Sequence, residues 1–260
     1  MKRHFLEPLG TGNYSPCQYQ MPGKDGQTIE TPFIQMAILQ GLNYNHEEDR
    51  VTFFLTEEVK KMNWLDRPYE ENDHDRQHKI GENKVGLRHL LSDKYPDTDW
   101  DSTIVTIPNG FSTEETWETF NAMYDAIDDG DQIVFDITHG FRSIQMLALT
   151  VLNYAKAIKK VELLGIYYGC FINKESIEPI LDLTSFNDIL NWSAAADSFV
   201  RYGNSRQIQE LCKQEKQRND PNNRNNENKN NKNLNNKSMK TVQIAMNALG
   251  VLTQDVETCR

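Results

Sequence analysis

Apolar positions along this 260-residue chain fall into short blocks whose period switches between that of a strand and that of a helix. Phe5 to Leu9 predicts a first strand, with Pro8 expected to end it early because proline has no N–H to give a central ladder. Tyr19 to Ile29 predicts a hairpin-like stretch, its turns marked by Pro22, Gly23, Asp25 and Gly26. From Glu30 to Leu42, Phe33, Met36, Ala37, Gln40 and Gly41 recur on one side, which is helical spacing. Val51 to Thr56 is an apolar run of the kind that fills a parallel strand covered on both faces. Residues 63–83 are polar and acidic without periodicity and predict a long surface excursion. Ser102 to Ile107 predicts another strand, stopped by Pro108, Asn109 and Gly110. Ser112 and Glu115 then form a capping-box pattern that opens a helix carrying Trp117, Phe120, Met123, Tyr124 and Ile127. The aromatic stripe Trp117, Phe120 and Tyr124 is expected to be core packing.

The most informative block follows. Ile133 to Ile137 is apolar and rich in β-branched residues; Thr138, His139, Gly140, Phe141, Arg142 and Ser143 interrupt it; a nearly all-apolar helical pattern then runs to Ile158. This order predicts a buried strand, a tight polar turn and a buried helix. Val161 to Cys170 predicts a further strand, followed by the apolar stretch Ile177 to Leu183. Strands alternating with helices in this way imply an α/β fold with a doubly wound, mainly parallel, Rossmann-like sheet. Residues 184–217 predict one or two helices outside that sheet.

Composition changes the picture mainly at the C-terminal end. Hydrophobic content is 38%, and residues 218–240 are dominated by asparagine and lysine. Such a segment cannot bury enough surface to offset its chain entropy, and it predicts a disordered linker; residues 241–260 predict a short helix. The formal charge of −10 argues against a surface that attracts long polyanions. A small anion can still bind, because local donors dominate at contact distance while remote charges are screened. Cys17, Cys170, Cys212 and Cys259 are widely spaced without a CxxC pair, so no disulfide or zinc framework is expected. No apolar run approaches the roughly 20 residues of a membrane span, and Met1 to Phe5 lacks the character of a signal peptide. The expectation is a cytoplasmic protein without a membrane partner.

Two polar glycine turns follow two strands: Gly10, Thr11, Gly12, Asn13 and Tyr14, then Thr138 to Ser143. If both strands are central and parallel, both turns lie on one edge of the sheet and face one ligand. Thr138 and Ser143 offer hydroxyls, Arg142 a guanidinium suited to bidentate phosphate contact, and the helix start free backbone N–H groups. The bland reading, two ordinary strand-to-helix connections, also uses Gly, Thr and Asn. The first turn is neither a Rossmann dinucleotide fingerprint, since its third glycine is missing, nor a phosphate loop with Gly-Lys-Ser/Thr. His139 suits a base, a hydrogen-bond donor or a structural ring. Asp73, His74, Asp75 and His78 have metal-like spacing, but their hydrophilic setting reads as a solvated loop. No metal and no cofactor is expected.

These residues also carry a family resemblance. Phe5 to Tyr14 with Tyr19, the segment from Ile107 to Trp117, and above all Asp136 to Ser143 resemble the sensor domain of CRISPR-associated Rossmann-fold (CARF) proteins, in particular accessory effectors of type III CRISPR systems. The resemblance covers roughly residues 1–205. It implies a ligand-sensing domain over residues 1–183 and a homodimer with a pocket shared across the two-fold axis. It also implies a cyclic oligoadenylate second messenger as ligand, bound by Gly10, Thr11, Gly12, Asn13 and Tyr14 of one turn and Thr138, His139, Gly140, Phe141, Arg142 and Ser143 of the other. Relatives commonly carry a helical HEPN ribonuclease domain that needs an arginine followed closely by a histidine. Trp192 to Gly203 resembles the start of such a domain, yet no histidine follows His139. Residues 184–217 are accordingly expected to be a helical connector or the start of a truncated or degenerate effector. The expected function is therefore cyclic oligoadenylate sensing. Two alternatives stay open: a ring nuclease cleaving that ligand in the same pocket, and a nucleotide-dependent metabolic enzyme on the same fold.

Overall fold

The structure is a computed structural model, which describes residues 2–70, 80–140, 142–172 and 177–219. Its contacts divide the chain after Asp182. The first unit is built on ten strands and five helices: β1 Arg3–Pro8, β2 Cys17–Gln20, β3 Ile29–Thr31, α1 Ile34–Gly41, β4 Asp49–Leu55, α2 Glu57–Val59 continued by a π-helical turn Lys60–Trp64, β5 Arg67–Pro68, β6 Asn83–Lys84, α3 Leu87–Lys94, β7 Ile104–Thr106, α4 Thr113–Asp125, β8 Gln132–Asp136, α5 Arg142–Ile158, β9 Glu162–Gly169 and β10 Ile177–Asp182.

Eight strands form one sheet in the order β3-β2-β10-β9-β8-β1-β4-β7. From β9 to β7 every neighbour pair is parallel. Beyond β9, β10 runs antiparallel to it, β2 parallel to β10 and β3 antiparallel to β2. The alternation of side chains along the strands decides the layers. Phe5, Val51, Phe53 and Val134 join Ile34, Ile38, Leu87 and Leu91 in one core, on the side of α1 and α3. Leu6, Phe54, Ile133 and Phe135 join Met123, Ala148, Val151 and Leu152 in the other, on the side of α4 and α5. This is the doubly wound α/β arrangement expected from the sequence. The chain moves outward from β1 to β4 and β7, then returns to β8 on the opposite side of β1, so the strand order reverses between β1 and β8. In open α/β sheets a crevice at such a reversal is where ligands sit.

Several local expectations need correction. β1 does not stop before Pro8: its ladder to β4 continues to Pro8 opposite Phe54, while its ladder to β8 ends at Leu6 opposite Phe135. The missing N–H therefore falls beyond the inner ladder. Glu30 and Thr31 are not helical, because they pair with Gln18 and Cys17 in β3, and α1 begins only at Ile34. Trp117 is 62% exposed and not core; Met123 within α4 and Ile127 just after it are the buried apolar residues there. Helix α5 is buried on one side only, with Met146, Leu149, Tyr154 and Ile158 exposed. The excursion at 63–83 is not all surface, since Asn63 and Trp64 are almost completely buried.

The second unit, described from Leu183, contains α6 Thr184–Tyr202 and α7 Arg206–Asn219. Gly203 ends α6 in the left-handed region, at φ 65°, where its N–H caps the Phe199 carbonyl. The expected linker and final helix at 218–240 and 241–260 lie outside the described residues but for Arg218 and Asn219, which end α7. No helix among the described residues is long and apolar enough to cross a membrane.

Candidate functional site

Both glycine turns leave the carboxyl ends of adjacent central strands, and they touch. A Cβ placed on Gly10 would lie 3.2 Å from the Gly140 backbone nitrogen and 2.9 Å from the Tyr14 hydroxyl, so the absence of a side chain at 10 permits the approach. Gly140 itself has φ 104°, a region that L residues rarely adopt. Tyr14 folds back over its own turn and accepts a hydrogen bond from Gly10 N at 3.2 Å. Its ring lies 4.5 Å from the His139 ring and 5.4 Å from Phe33. The two turns thus form one continuous surface.

The second turn is fixed from below. Asp136 ends β8, and one of its carboxylate oxygens accepts from Thr138 N at 2.8 Å and from Thr138 Oγ1 at 2.5 Å. The Thr138 hydroxyl in turn accepts from Gly169 N at 2.8 Å, tying the turn to the end of β9. The other Asp136 oxygen accepts from Gln35 Nε2 at 3.1 Å, and the same amide reaches the Pro8 carbonyl at 3.0 Å. Beside Asp136 stands Glu7, on the same face of the sheet, fully buried and with both carboxylate oxygens unpartnered among the described residues. Burial and the neighbouring Asp136 hold Glu7 well above the usual carboxylate range. Burial also pushes Asp136 up to about 7, against the hydrogen bonds from Thr138 and Gln35. A pair of acids that cannot both be charged lies under the turns.

The first turn is held by residues that the sequence did not single out. Asn63 Nδ2 donates to the carbonyls of Gly10 at 2.8 Å and Gly12 at 2.9 Å. Lys84 Nζ donates to Asn13 Oδ1 at 3.0 Å. These contacts span about fifty and seventy residues of sequence, beyond the reach of a local pattern.

Between the turns opens a cavity of about 500 Å³. Gly10 to Tyr14 line it, as do Thr138, His139 and Gly140, so eight of the expected site residues meet there. Ser143 stands at the edge of the second turn, its hydroxyl 3.8 Å from a Cβ built on Gly110, which places the Pro108–Gly110 turn alongside. Phe141 and the Arg142 side chain lie outside the described residues. The wall also includes Tyr19, Thr56, Ile107, Tyr168, Gly169 and Phe171. Tyr168 and Gly169 end β9, and the rule that ligands gather at strand carboxyl ends, applied to every central strand, would have found them. Among the described residues no acid and no Lys or Arg lines the cavity. Burial pulls His139 down to about 4, so its imidazole is neutral at pH 7. The site therefore offers hydroxyls, backbone N–H groups, a neutral imidazole and aromatic rings. That combination suits an anionic ligand with flat apolar parts. The metal-like segment at Asp73 to His78 lies outside the described residues, and among those described no cluster of His, Cys, Asp and Glu could hold a metal.

Comparison with known proteins bears on the same region. Residues 5–175, which contain both turns, match the family described as CRISPR system endoribonuclease Csx1, CARF domain. The chain is also 29% identical over 252 residues to CRISPR-associated protein MJ1674 of Methanocaldococcus jannaschii. That alignment takes in 83% of this chain but 39% of the relative.

Proposed function

The chain belongs to the Csx1 CARF-domain family, and from that premise we propose that it is a cyclic oligoadenylate sensor of a type III CRISPR antiviral system. The observation that carries this reading is the direct contact of the two turns at the β1/β8 reversal, over one cavity free of carboxylates among its described lining. Phosphodiesters would meet the Thr11 hydroxyl and the free N–H groups at the start of α5. Adenines would meet Tyr168 and Phe171, the latter 64% exposed on the cavity wall. A volume of about 500 Å³ matches one drug-sized molecule and is small for a ring of four or six nucleotides.

A second copy of the chain would supply the other half of the site. A cyclic ligand with rotational symmetry suits a two-fold dimer, in which the same donors repeat. The exposed apolar side of α5, which begins at the second turn, supports this: Met146 is 76% exposed on a helix whose other side is core. What the bound ligand switches on belongs to the rest of such a protein, of which the matched relative has considerably more than this chain.

Titration calorimetry with cyclic tetra- and hexa-adenylate tests the reading. Binding of one ring per two chains, weakened at least tenfold by Arg142→Ala, is expected; binding of neither ring overturns it. A second reading, cleavage of the ring in the same cavity, would rest on in-line placement of the 2′-hydroxyl against its neighbouring phosphate, because His139, which lines the cavity, is pulled down to about 4 by burial and is a weak base at pH 7. Chromatography of the ligand after incubation separates the two, since intact rings mean sensing alone and linear products mean a ring nuclease.

A further inference from the structure

The first turn lines the cavity along its whole length, and whether its backbone attracts or repels an anion depends on which way its peptide units point. Asn63 sets that direction from behind. Its Nδ2 group donates to the Gly10 carbonyl at 2.8 Å and to the Gly12 carbonyl at 2.9 Å, while Asn63 itself is 1% exposed and stands outside the cavity lining. The reverse orientation of the amide would set Oδ1 against both carbonyl oxygens, so the network fixes which atom faces the turn. Oδ1 is left buried with no partner among the described residues. The backbone that presents Asn63 is the π-helical turn Lys60–Trp64, closed by a bond from Leu65 N to the Lys60 carbonyl at 3.1 Å. Trp64, the next residue, is fully buried with its ring 4.9 Å from that of Phe53, which pins the turn to the core. Single π turns of this kind are rare and recur at functional sites.

None of the described peptide bonds is cis, and in a trans unit the C=O and N–H point opposite ways. The Gly10 carbonyl shares its unit with the Thr11 N–H, and the Gly12 carbonyl with the Asn13 N–H. Drawing both oxygens back to Asn63 therefore turns both N–H groups away from it, and neither has an acceptor among the described residues. Thr11 is half-buried and Asn13 exposed, so both groups can be reached. We propose that Asn63 is the positioning residue that gives the first turn its polarity, aiming the Thr11 and Asn13 N–H groups at a phosphate of the ligand. This rests on the proposed anionic ligand and adds to it a residue that neither glycine turn contains. A peptide whose oxygen accepts a hydrogen bond donates more strongly through its N–H, because linked hydrogen bonds polarise one another. Two such donors make an anion seat that needs no cation. That fits a chain of net charge −10 whose described cavity lining holds no Lys or Arg. The group this selects is a phosphodiester or another phosphate, in preference to a neutral nucleoside.

The experiment follows the two amide protons by NMR while cyclic tetra-adenylate, cyclic hexa-adenylate or inorganic pyrophosphate is added, with affinities measured in parallel. Labelling glycine with 13C at the carbonyl and threonine or asparagine with 15N isolates the Gly10–Thr11 peptide and narrows the asparagine signals to Gly12–Asn13 and Gly203–Asn204. A ring is expected to move the Thr11 amide proton and one Gly–Asn amide proton downfield. Asn63→Asp, which puts an oxygen where Nδ2 stood, is expected to weaken binding at least tenfold and to abolish both shifts. An asparagine that only stabilised the fold would lower the melting temperature and leave the Thr11 proton of the wild type unmoved by ligand. Should Asn63→Asp fail to fold, the wild-type shifts decide alone. Ring binding without those shifts, or wild-type affinity in Asn63→Asp, overturns the proposal and leaves the cyclic oligoadenylate reading in place. Shifts with pyrophosphate, but binding of neither ring, keep this inference and overturn the cyclic oligoadenylate reading. No binding of any of the three overturns both.

Discussion

The two edges of the central sheet handle buried polar groups in opposite ways. At the amino-terminal edge, His4 is fully buried, with Nδ1 3.1 Å from Asp131 Oδ2 and Nε2 2.8 Å from Thr52 Oγ1. Arg50 donates to the same Asp131 oxygen at 2.6 Å and to the Ala126 carbonyl at 2.9 Å, and pairs with Asp128. The Asp128 backbone N–H adds a third contact to Asp131 at 2.9 Å. Burial lowers His4, and its partners hold Asp131 below the usual range despite its own burial. At the carboxyl-terminal edge four oxygens, Glu7 Oε1 and Oε2, Gln35 Oε1 and Asn63 Oδ1, are buried without a hydrogen-bond partner among the described residues, against one such atom, Arg50 Nε, in the amino-terminal cluster. Unpartnered buried polar groups cost stability, and a fold retains them where something other than stability is selected. The first edge is a clasp; the second supports the turns for which a ligand is proposed.

Breaking the clasp should have the largest effect on folding. Asp131→Ala leaves His4 and Arg50 facing an empty position, and a loss of about 3–5 kcal/mol is expected in urea unfolding. Ligand affinity of the protein that remains folded should stay at the wild-type level. The opposite edge should respond to pH. Because Asp136 is raised from 3.8 to about 7 in the folded protein, the unfolded chain releases its proton first as pH rises. Stability should therefore fall between about pH 4 and 7 and level off above, by about 2 kcal/mol between pH 5 and 8. Glu7, raised likewise, adds to the fall, so Glu7→Gln should flatten the profile and raise stability at pH 8. A profile rising over that range would show that the two acids are not held as described.

Two smaller changes sharpen the contrast. Gly140→Val forces a β-branched residue into φ 104°, and about 1–2 kcal/mol of strain is expected, with a loss of ligand binding out of proportion to that cost. Trp117→Lys, on the exposed stripe of α4, should change stability by less than about 0.5 kcal/mol. A dimer-to-monomer shift in ultracentrifugation would place Trp117 in the proposed dimer surface, and a dimer of unchanged mass would leave that proposed surface to α5.

The sequence was read most reliably where local pattern and tertiary role agree. Ile133 to Ile137 looks like a buried strand because it is covered on both faces, and Ser112 looks like a cap because its hydroxyl accepts from Glu115 N at 3.1 Å. The turns were legible because only glycine permits the Gly10 to Gly140 approach. Asn63 and Lys84 were not, since their segment is hydrophilic and its partners lie far away along the chain. The helix expected from Glu30 starts late for a related reason, the pairing of Glu30 and Thr31 with β2. Hydrophobic spacing points Trp117 and Met146 to the core because it reports which face is apolar and not what covers it.

The contrast between the edges is tested most directly by the rise in Tm caused by cyclic tetra- or hexa-adenylate, measured side by side on wild type, His4→Asn and Gly140→Val. The account predicts equal rises for wild type and His4→Asn, the latter from a lower starting Tm, and no rise for Gly140→Val. No rise in wild type with either ring, or a full rise in Gly140→Val, would contradict it.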